Sequence, residues 1–227
     1  MYIHKKGYGV IATVFTALAL LIVLLYMLLD IVYEFTPLTK TIWICLIIIG
    51  VIVFGWSVSF FRVPTKRKIT YEENAVVSSA DGEIVAIEEM EEKEYFHDKR
   101  IQVSVFMSAY DVHVNWFPMD GVVSYVKYHP GKKLFAINPK SSELNERNSV
   151  AVKDEKGREV LFRQVAGVMA RRIVCNIKEG DKAEVGKEFG MIKFGSRVDF
   201  FLPIDSDIQV EMGDKVNGQV SVLAYLK

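Results

Sequence analysis

One segment decides the fold, and it reads Phe189-Gly-Met-Ile-Lys-Phe-Gly-Ser-Arg-Val-Asp199. A short apolar run leads into Gly195-Ser196, and a second apolar run continues after Arg197 to Leu202. Runs of this length that are interrupted by small residues are typical of β-strands joined by a turn. Taken alone, the segment predicts two strands with an ordinary β-turn at Gly195-Ser196.

The same pattern of short apolar runs continues on both sides of this segment, from Pro64 to the C-terminus. Short apolar stretches alternate with Gly, Asp and Lys, which predicts a mainly β domain, a compact barrel or sandwich. The predicted strands are 75–77, 82–87, 101–106, 121–128, 149–152, 160–165, 172–176, 189–194, 198–202 and 220–225. Residues 164–170 could instead open a short helix, and 139–147 resembles a loop.

A weak internal repeat supports a β fold with tight turns. Lys178-Glu-Gly-Asp-Lys-Ala-Glu-Val-Gly186 is echoed by Glu211-Met-Gly-Asp-Lys-Val-Asn-Gly218. Such hammerhead-like turns also occur in lipoyl and biotinyl carrier domains. A carrier module, modified on Lys193 or Lys182, is therefore an alternative function.

Two charge-free apolar runs precede the β domain, at 10–29 and 41–61. At 1.5 Å per residue each spans about 30 Å, the hydrocarbon thickness of a bilayer. A cleaved signal peptide would be shorter and would not be followed at once by a second span. We therefore expect residues 1–63 to form a membrane anchor of two transmembrane helices, and residues 64–227 the β-rich domain. The alternative is a hairpin that enters the membrane without fully crossing it.

The charges that flank these runs predict their orientation. His4-Lys5-Lys6 precedes the first run and Arg62 with Lys66-Arg67-Lys68 follows the second, while the loop 30–40 carries two acidic residues against one lysine. Because cytoplasmic flanks are enriched in Lys and Arg, both ends are expected in the cytoplasm. The β-rich domain would then lie at the cytoplasmic side of the cell membrane.

Composition excludes several classes of function. The formal net charge of the 227 residues is zero, which gives no support to a nucleic-acid partner. Cys45 and Cys175 are the only cysteines, and the four histidines lack the i, i+4 spacing of a zinc-binding helix. No metal cofactor is expected.

Five ordered motifs cover the chain from Phe60 to its C-terminal region. They are Phe60-Phe-Arg-Val-Pro64, Ser79-Ala-Asp-Gly-Glu-Ile84, Asp111-Val-His-Val-Asn-Trp-Phe-Pro118 followed by Asp120-Gly121, Asn145-Glu-Arg-Asn148, and Phe194-Gly-Ser-Arg-Val-Asp199. In this order they resemble the motifs of the phosphatidylserine decarboxylase proenzymes, particularly the short form. Longer members carry Leu-Gly-Ser-Thr at the last motif.

The resemblance implies a self-processing lyase. Ser196 Oγ would attack the carbonyl of Gly195, and elimination of the resulting ester would leave a pyruvoyl cofactor at Ser196. The products would be a heterodimer of a β chain, residues 1–195, and an α chain, residues 196–227. The pyruvoyl group would form a Schiff base with phosphatidylserine, and loss of carbon dioxide would give phosphatidylethanolamine.

The resemblance also assigns supporting residues. A serine hydroxyl needs a base, and the base needs an orienting group. His113 is the expected base, placed on a strand opposite Val112 and Val114, and Asp81 is the expected orienting acid. Longer members have a second histidine where this chain has Trp116, so His113 would act alone or another group, such as His129, would help.

The lipid phosphate requires a cationic contact near the site. Arg197 and Arg147 are the leading candidates, and Lys132 and Lys133 are further ones. The runner-up to the enzyme is a non-catalytic membrane-bound β-domain or the carrier module described above. Only the enzyme requires a chain broken between Gly195 and Ser196.

Overall fold

The two apolar runs form helices in the structure, a computed structural model that describes residues 1–33, 36–132, 144–167, 172–193 and 196–227. Helix α1 spans Tyr8–Tyr33 and helix α2 spans Pro37–Phe60. Thr36 caps α2 by accepting a hydrogen bond from Thr39 N at 3.3 Å, and Pro37 occupies the first turn, where its missing N–H is not needed. Both helices are long and apolar enough to cross a membrane.

The chain divides into two compact units, which we call the helical unit (Met1–Thr65) and the β-rich unit (Lys66–Lys227). In the helical unit the two helices pack through edge-to-face rings, Phe15 on Phe54 and Tyr26 on Trp43, each pair 5.6 Å apart. Strand β1 (Tyr2–Ile3) pairs antiparallel with β2 (Arg62–Val63). This pairing closes the hairpin and brings its two ends together.

The β-rich unit contains the remaining strands, and the prediction of a mainly β fold is confirmed. Their bounds are β3 Ala75–Val77, β4 Gly82–Glu92, β5 Asp98–Met107, β6 Val114–Trp116, β7 Gly121–His129, β8 Arg147–Lys153, β9 Glu159–Ala166, β10 Arg172–Cys175, β11 Lys182–Ala183, β12 Glu188–Lys193, β13 Ser196–Leu202, β14 Asp207–Ile208, β15 Lys215–Val216 and β16 Val222–Tyr225.

Eight of these strands form one antiparallel sheet that curls into a half-barrel. Its order is β11-β7-β8-β9-β13-β5-β4-β15, so β13 lies near the middle with β5 and β9 on either side. Two three-stranded sheets, β10-β12-β6 and β14-β16-β3, complete the unit. The chain therefore leaves one sheet at the end of β12 and enters another at the start of β13.

The curled sheet is buried on both faces near its centre. Alternate residues of β13, Val198, Phe200 and Leu202, face the main core, whereas Phe201 belongs to a separate cluster with Ala151 on the opposite face. Because side chains alternate between the two faces along a strand and both faces are covered, every residue of β13 is buried. We call the face that packs on the main core the inner face, and the face that carries Phe201 and Ala151 the outer face.

The two Gly-Asp-Lys segments form equivalent turns, in agreement with the predicted hammerhead-like repeat. Gly180 and Gly213 adopt positive φ angles of 86° and 90°, which a residue without a side chain adopts readily. Asp181 Oδ2 accepts a hydrogen bond from Lys178 N at 2.9 Å, and Asp214 Oδ2 accepts the corresponding bond at 2.8 Å. Each turn leads into a two-residue strand, β11 or β15.

The structure differs from the sequence predictions in a few places. Residues 164–166 continue strand β9 rather than opening a helix. Residues 168–170 of that predicted segment and residues 139–143 of the predicted loop lie outside the described residues. His113 does not alternate on a strand with Val112 and Val114. Strand β6 begins only at Val114, and all three side chains are buried.

Candidate active site

Ser196 lies at the first position of β13, where the chain passes between two sheets. It pairs with Met107 of β5 on one side and Ala166 of β9 on the other, and it is completely buried. Its Oγ donates a hydrogen bond to Met107 Sδ at 3.2 Å. Ser196 itself therefore belongs to a buried strand and not to an exposed turn position. The other predicted cleavage residue, Gly195, lies outside the described residues.

His113 is also completely buried, immediately before β6. Its backbone oxygen accepts a hydrogen bond from Ile192 N at 3.1 Å, so it lies beside the strand that leads to Ser196. Its Nδ1 is 2.9 Å from the carbonyl oxygen of Asp111. A carbonyl oxygen can only accept, so Nδ1 carries the hydrogen and Nε2 is the basic nitrogen of the neutral ring.

A four-residue turn fixes that carbonyl in place. Asp111 Oδ2 accepts hydrogen bonds from Ser108 N at 2.8 Å and Ser108 Oγ at 2.6 Å, and Asp111 N donates to Ser108 O at 3.0 Å. The turn joins the end of β5, which contains Met107, to His113. Asp111 therefore orients the imidazole through its backbone. The Ser-x-x-Asp spacing, typical of such turns, was the signal that could have revealed it.

Asp81 has other partners than those predicted. Arg67 donates to both carboxylate oxygens at 2.6 Å, and Gly218 N donates to Oδ1 at 2.8 Å. Within the part of the chain that the structure describes, these are the hydrogen bonds of the carboxylate, and none joins it to His113. The Arg67 guanidinium also lies 5.4 Å from the centroid of the Trp116 ring.

Asp81 has a counterpart in Asp120, and each of the two aspartates contacts one copy of the internal repeat. Asp120 Oδ1 accepts a hydrogen bond from Val185 N at 2.7 Å, as Asp81 accepts one from Gly218 N. Both aspartates precede the glycine that starts a long strand, and both tie that strand to a hammerhead-like turn. Asp81 differs from Asp120 in its bidentate bond with Arg67.

Three buried amides near Ser196 received no role from the sequence, although Asn115 and Asn148 lie in two of the five motifs. Gln164 Nε2 donates to Asn115 Oδ1 at 2.8 Å, and Asn148 Nδ2 donates to Gln164 Oε1 at 3.4 Å. Asn115 Nδ2 in turn points to Ser79 O at 3.5 Å and Met107 Sδ at 3.9 Å. Met107 Sδ is thus shared by Asn115 and Ser196. Polar residues inside otherwise apolar strands were the available signal.

The two arginines predicted for phosphate binding lie on the outer face. Arg197 forms an ion pair with Asp199 at 2.7 Å, and Asp199 accepts a hydrogen bond from Ser104 Oγ at 2.6 Å. Arg147 lies 3.8 Å from Glu94. Their roles in phosphate binding stay predictions.

The other candidates do not approach Ser196 through any described contact. His129 Nε2 is 2.7 Å from Glu94 Oε1, in the same outer-face cluster as Arg163. Lys132 pairs through its backbone with Asn145, and Lys133 lies outside the described residues. Among the described residues no group of His, Cys, Asp or Glu side chains could hold a metal ion.

Ser196 is enclosed by protein in this structure. A surface cavity of about 770 Å³ is lined by residues that include Asp120, Lys153 and Lys182, and Ser196 is not among them. Burial of this kind keeps water away from the Ser196 hydroxyl.

Comparison with known proteins agrees with the motifs. The family model described as "Phosphatidylserine decarboxylase" matches residues 54–224. A protein of Amoebophilus asiaticus named phosphatidylserine decarboxylase proenzyme is 52% identical over 171 residues, covering 75% of this chain and 76% of its own. Proteins of the same name from Cytophaga hutchinsonii and Parabacteroides distasonis are 42% and 41% identical over 99% and 100% of this chain, and 98% and 99% of their own. The resemblance inferred from the five motifs is confirmed.

Proposed function

Because the chain belongs to the phosphatidylserine decarboxylase family, we propose that it converts phosphatidylserine to phosphatidylethanolamine after cutting itself between Gly195 and Ser196. The observation that carries the proposal is the complete burial of Ser196 at the junction of two sheets. A turn serine without a chemical role would be expected at the surface. Here the hydroxyl is enclosed and points at a methionine sulfur, which is a weak acceptor.

Self-cleavage assigns a role to each of two buried groups. Ser196 Oγ attacks the preceding carbonyl, and the peptide bond becomes an ester. His113 accepts the hydroxyl proton at Nε2, since Nδ1 is held by the Asp111 carbonyl. The carboxylate that orients the base in a Ser-His-Asp triad is replaced by a backbone oxygen.

Asp81 supports the site indirectly in this proposal. Its carboxylate holds Arg67 and the turn at Gly218, and Arg67 lies against Trp116, the residue that replaces the second family histidine. Asp81 is therefore a positioning residue that acts through Arg67 and Trp116. His113 alone serves as base.

The surroundings of Ser196 suit a pyruvoyl group. The Ser196 side chain faces the apolar core. A buried amide donor, Asn115 Nδ2, lies 3.9 Å from Met107 Sδ, the sulfur that accepts the hydrogen bond of Ser196 Oγ. When formed, the group supplies a carbonyl that condenses with the substrate amine and accepts electrons as carbon dioxide leaves. The protein contributes a dry site, the His113 base and a fixed position on β13.

The helical unit is the proposed membrane anchor. Its two helices are long and apolar enough to span a bilayer, and β1 with β2 brings both ends together. The basic residues that flank the helical hairpin support a cytoplasmic location for these ends. The β-rich unit, beginning at Lys66, would act on the cytoplasmic leaflet of the cell membrane, and the cut protein would be a heterodimer of residues 1–195 and 196–227.

Intact-mass analysis of the full chain in detergent tests the proposal. The wild-type protein should give two fragments separated at Gly195, with a pyruvoyl mass at the start of the smaller one. Ser196→Ala should stay whole, and the matched control Ser206→Ala, in a turn after β13, should be cut like the wild type.

The lipid reaction is measured separately on the processed protein. Vesicles that contain phosphatidylserine should yield phosphatidylethanolamine and carbon dioxide. A single full-length mass for the wild-type protein would contradict the proposal and favour a non-catalytic β-domain. A mass increase on intact Lys193 or Lys182 would instead favour the carrier module.

A further inference from the structure

The three buried amides form a row with a defined direction. Hydrogen bonds run from Asn148 Nδ2 to Gln164 Oε1 and from Gln164 Nε2 to Asn115 Oδ1, and all three side chains are almost completely buried. Burying an amide costs free energy unless its polar atoms are bonded. The row satisfies the oxygen of Asn115, so the orientation of this amide is fixed.

The nitrogen of Asn115 is less well satisfied than its oxygen. Its acceptors, Ser79 O at 3.5 Å and Met107 Sδ at 3.9 Å, both lie at the outer limit of hydrogen bonding. Asn115 Nδ2 therefore retains capacity to donate a stronger bond. Its approach to the Met107 sulfur brings it to the atom that also accepts the hydrogen bond of Ser196 Oγ.

Gly190 makes this arrangement possible. It pairs with Asn115 across β12 and β6, and a Cβ atom at this position would lie 3.1 Å from Gln164 Nε2 and 2.2 Å from the carbonyl oxygen of Val174. A larger residue would push Gln164 away from Asn115. The sequence thus leaves space for the amide that orients the donor.

We propose that Asn115 Nδ2 donates a hydrogen bond to Ser196 Oγ when negative charge develops on that oxygen during self-cleavage. The inference rests on the proposed function, because it concerns the elimination that follows ester formation. In that step a base removes the Ser196 Cα proton, and the electron pair of the C–H bond forms the Cα–Cβ double bond. The Cβ–Oγ bond breaks with its electron pair on Oγ, which leaves as an oxygen of the Gly195 carboxylate.

Asn115 stabilises the leaving oxygen in this scheme. A preoriented donor in a site without water stabilises developing negative charge more than a solvated one, and loss of one such donor slows reactions by about 10²–10³-fold. Gln164 is a positioning residue, since it acts through Asn115. Met107 holds the hydroxyl before the reaction and gives way to Asn115 as the charge develops.

The test follows cleavage of newly synthesised full chain in detergent by intact mass. Asn115→Leu should slow the appearance of fragments by about 10²–10³-fold. The matched control is Gln102→Leu, which removes a buried amide from the outer face of the same sheet, where Gln102 Nε2 donates to Ser104 Oγ. The control should be cleaved at the wild-type rate.

Hydroxylamine distinguishes a chemical role from a structural one. If Asn115 acts in the elimination, the ester accumulates in Asn115→Leu, and hydroxylamine cuts it to release a fragment that begins with an unmodified serine. Cleavage of Asn115→Leu at the wild-type rate would overturn the inference, and so would slow cleavage without a hydroxylamine-sensitive ester.

A second variant covers the case in which Asn115→Leu does not fold. Gln164→Met keeps the Asn115 donor but removes its support, and it should also accumulate the ester, with a smaller loss of rate. Wild-type cleavage of a folded Gln164→Met chain would overturn the inference. Failure of the wild-type chain to cut itself would overturn the proposed function instead, and is recognised without either variant.

Discussion

Replacing Arg67 with methionine should destabilise the β-rich unit far more than the loss of a surface charge would. The Arg67 and Asp81 side chains are only 17% and 10% exposed, and two hydrogen bonds of 2.6 Å join them. Removing one partner of a buried ion pair costs about 3–5 kcal/mol, because the other charge is left uncompensated. Partial exposure to water and the remaining bond from Gly218 N reduce this to about 2–3 kcal/mol.

Thermal unfolding of the full chain in detergent provides the assay. For a chain of this size a loss of 1 kcal/mol lowers Tm by roughly 2–4 °C, so Arg67→Met should lower it by roughly 4–12 °C. Ser196→Ala is the parent, so that cleavage does not alter the measured chain. Lys215→Met, which breaks an exposed pair with Glu83 near the same turn, should leave Tm unchanged.

A double-mutant cycle completes the experiment. Asp81→Asn keeps an oxygen for Gly218 N but removes the charge, and it should be destabilising alone. Combined with Arg67→Met, it should cost less than the sum of the two single changes, with a coupling of about 0.5–3 kcal/mol. Additive effects, or single variants that unfold with the parent, would refute the reasoning.

Three other perturbations have defined outcomes. Gly190→Ala should destabilise the uncut chain by about 1–3 kcal/mol in urea unfolding, because its Cβ would meet the carbonyl oxygen of Val174; unchanged stability would contradict the geometry. Burial alone would raise the pKa of Glu94, but Arg163, His129 and Ser149 outweigh it and lower this pKa, so Glu94 contributes stability above its ordinary pKa that is lost as the pH falls through the lowered value. Urea unfolding between pH 7 and 3 should show this loss, and Glu94→Gln should show less of it; equal slopes would refute the assignment. Processed protein unfolded in urea and diluted should not recover its sheet, whereas Ser196→Ala should, as circular dichroism would report; equal recovery would contradict a central place for β13.

The sequence predicts the strands well because their signal is local. Apolar runs bounded by Gly, Asp and Lys coincide with strands of the structure, and the Gly-Asp-Lys repeat forms the turns it indicates. The residues missed are those whose environment is set by distant parts of the chain. Short strand β6, for example, exists because Val114 and Asn115 pair with β12, more than seventy residues later.

The partners of charged and polar residues are the least predictable feature. A carboxylate beside a glycine gives no indication that Arg67 and Gly218 will surround it, and the resemblance pointed to His113 instead. Similarly, the sequence Glu88-Glu-Met-Glu-Glu92 is an acidic run typical of a solvated segment, yet Glu92 is buried against Arg163. Such contacts depend on which strands become neighbours, which composition does not specify.

The position of β13 would make the proposed self-cleavage a measure of correct folding. Ser196 acquires its neighbours Met107 and Ala166 only when β13 has inserted between β5 and β9, and His113 is anchored to the strand that precedes it. A chain with misplaced strands would lack the enclosed hydroxyl and would stay whole. The ratio of cut to uncut protein would then act as an internal reporter, and uncut chains in a cell would mark molecules that failed to assemble their sheet.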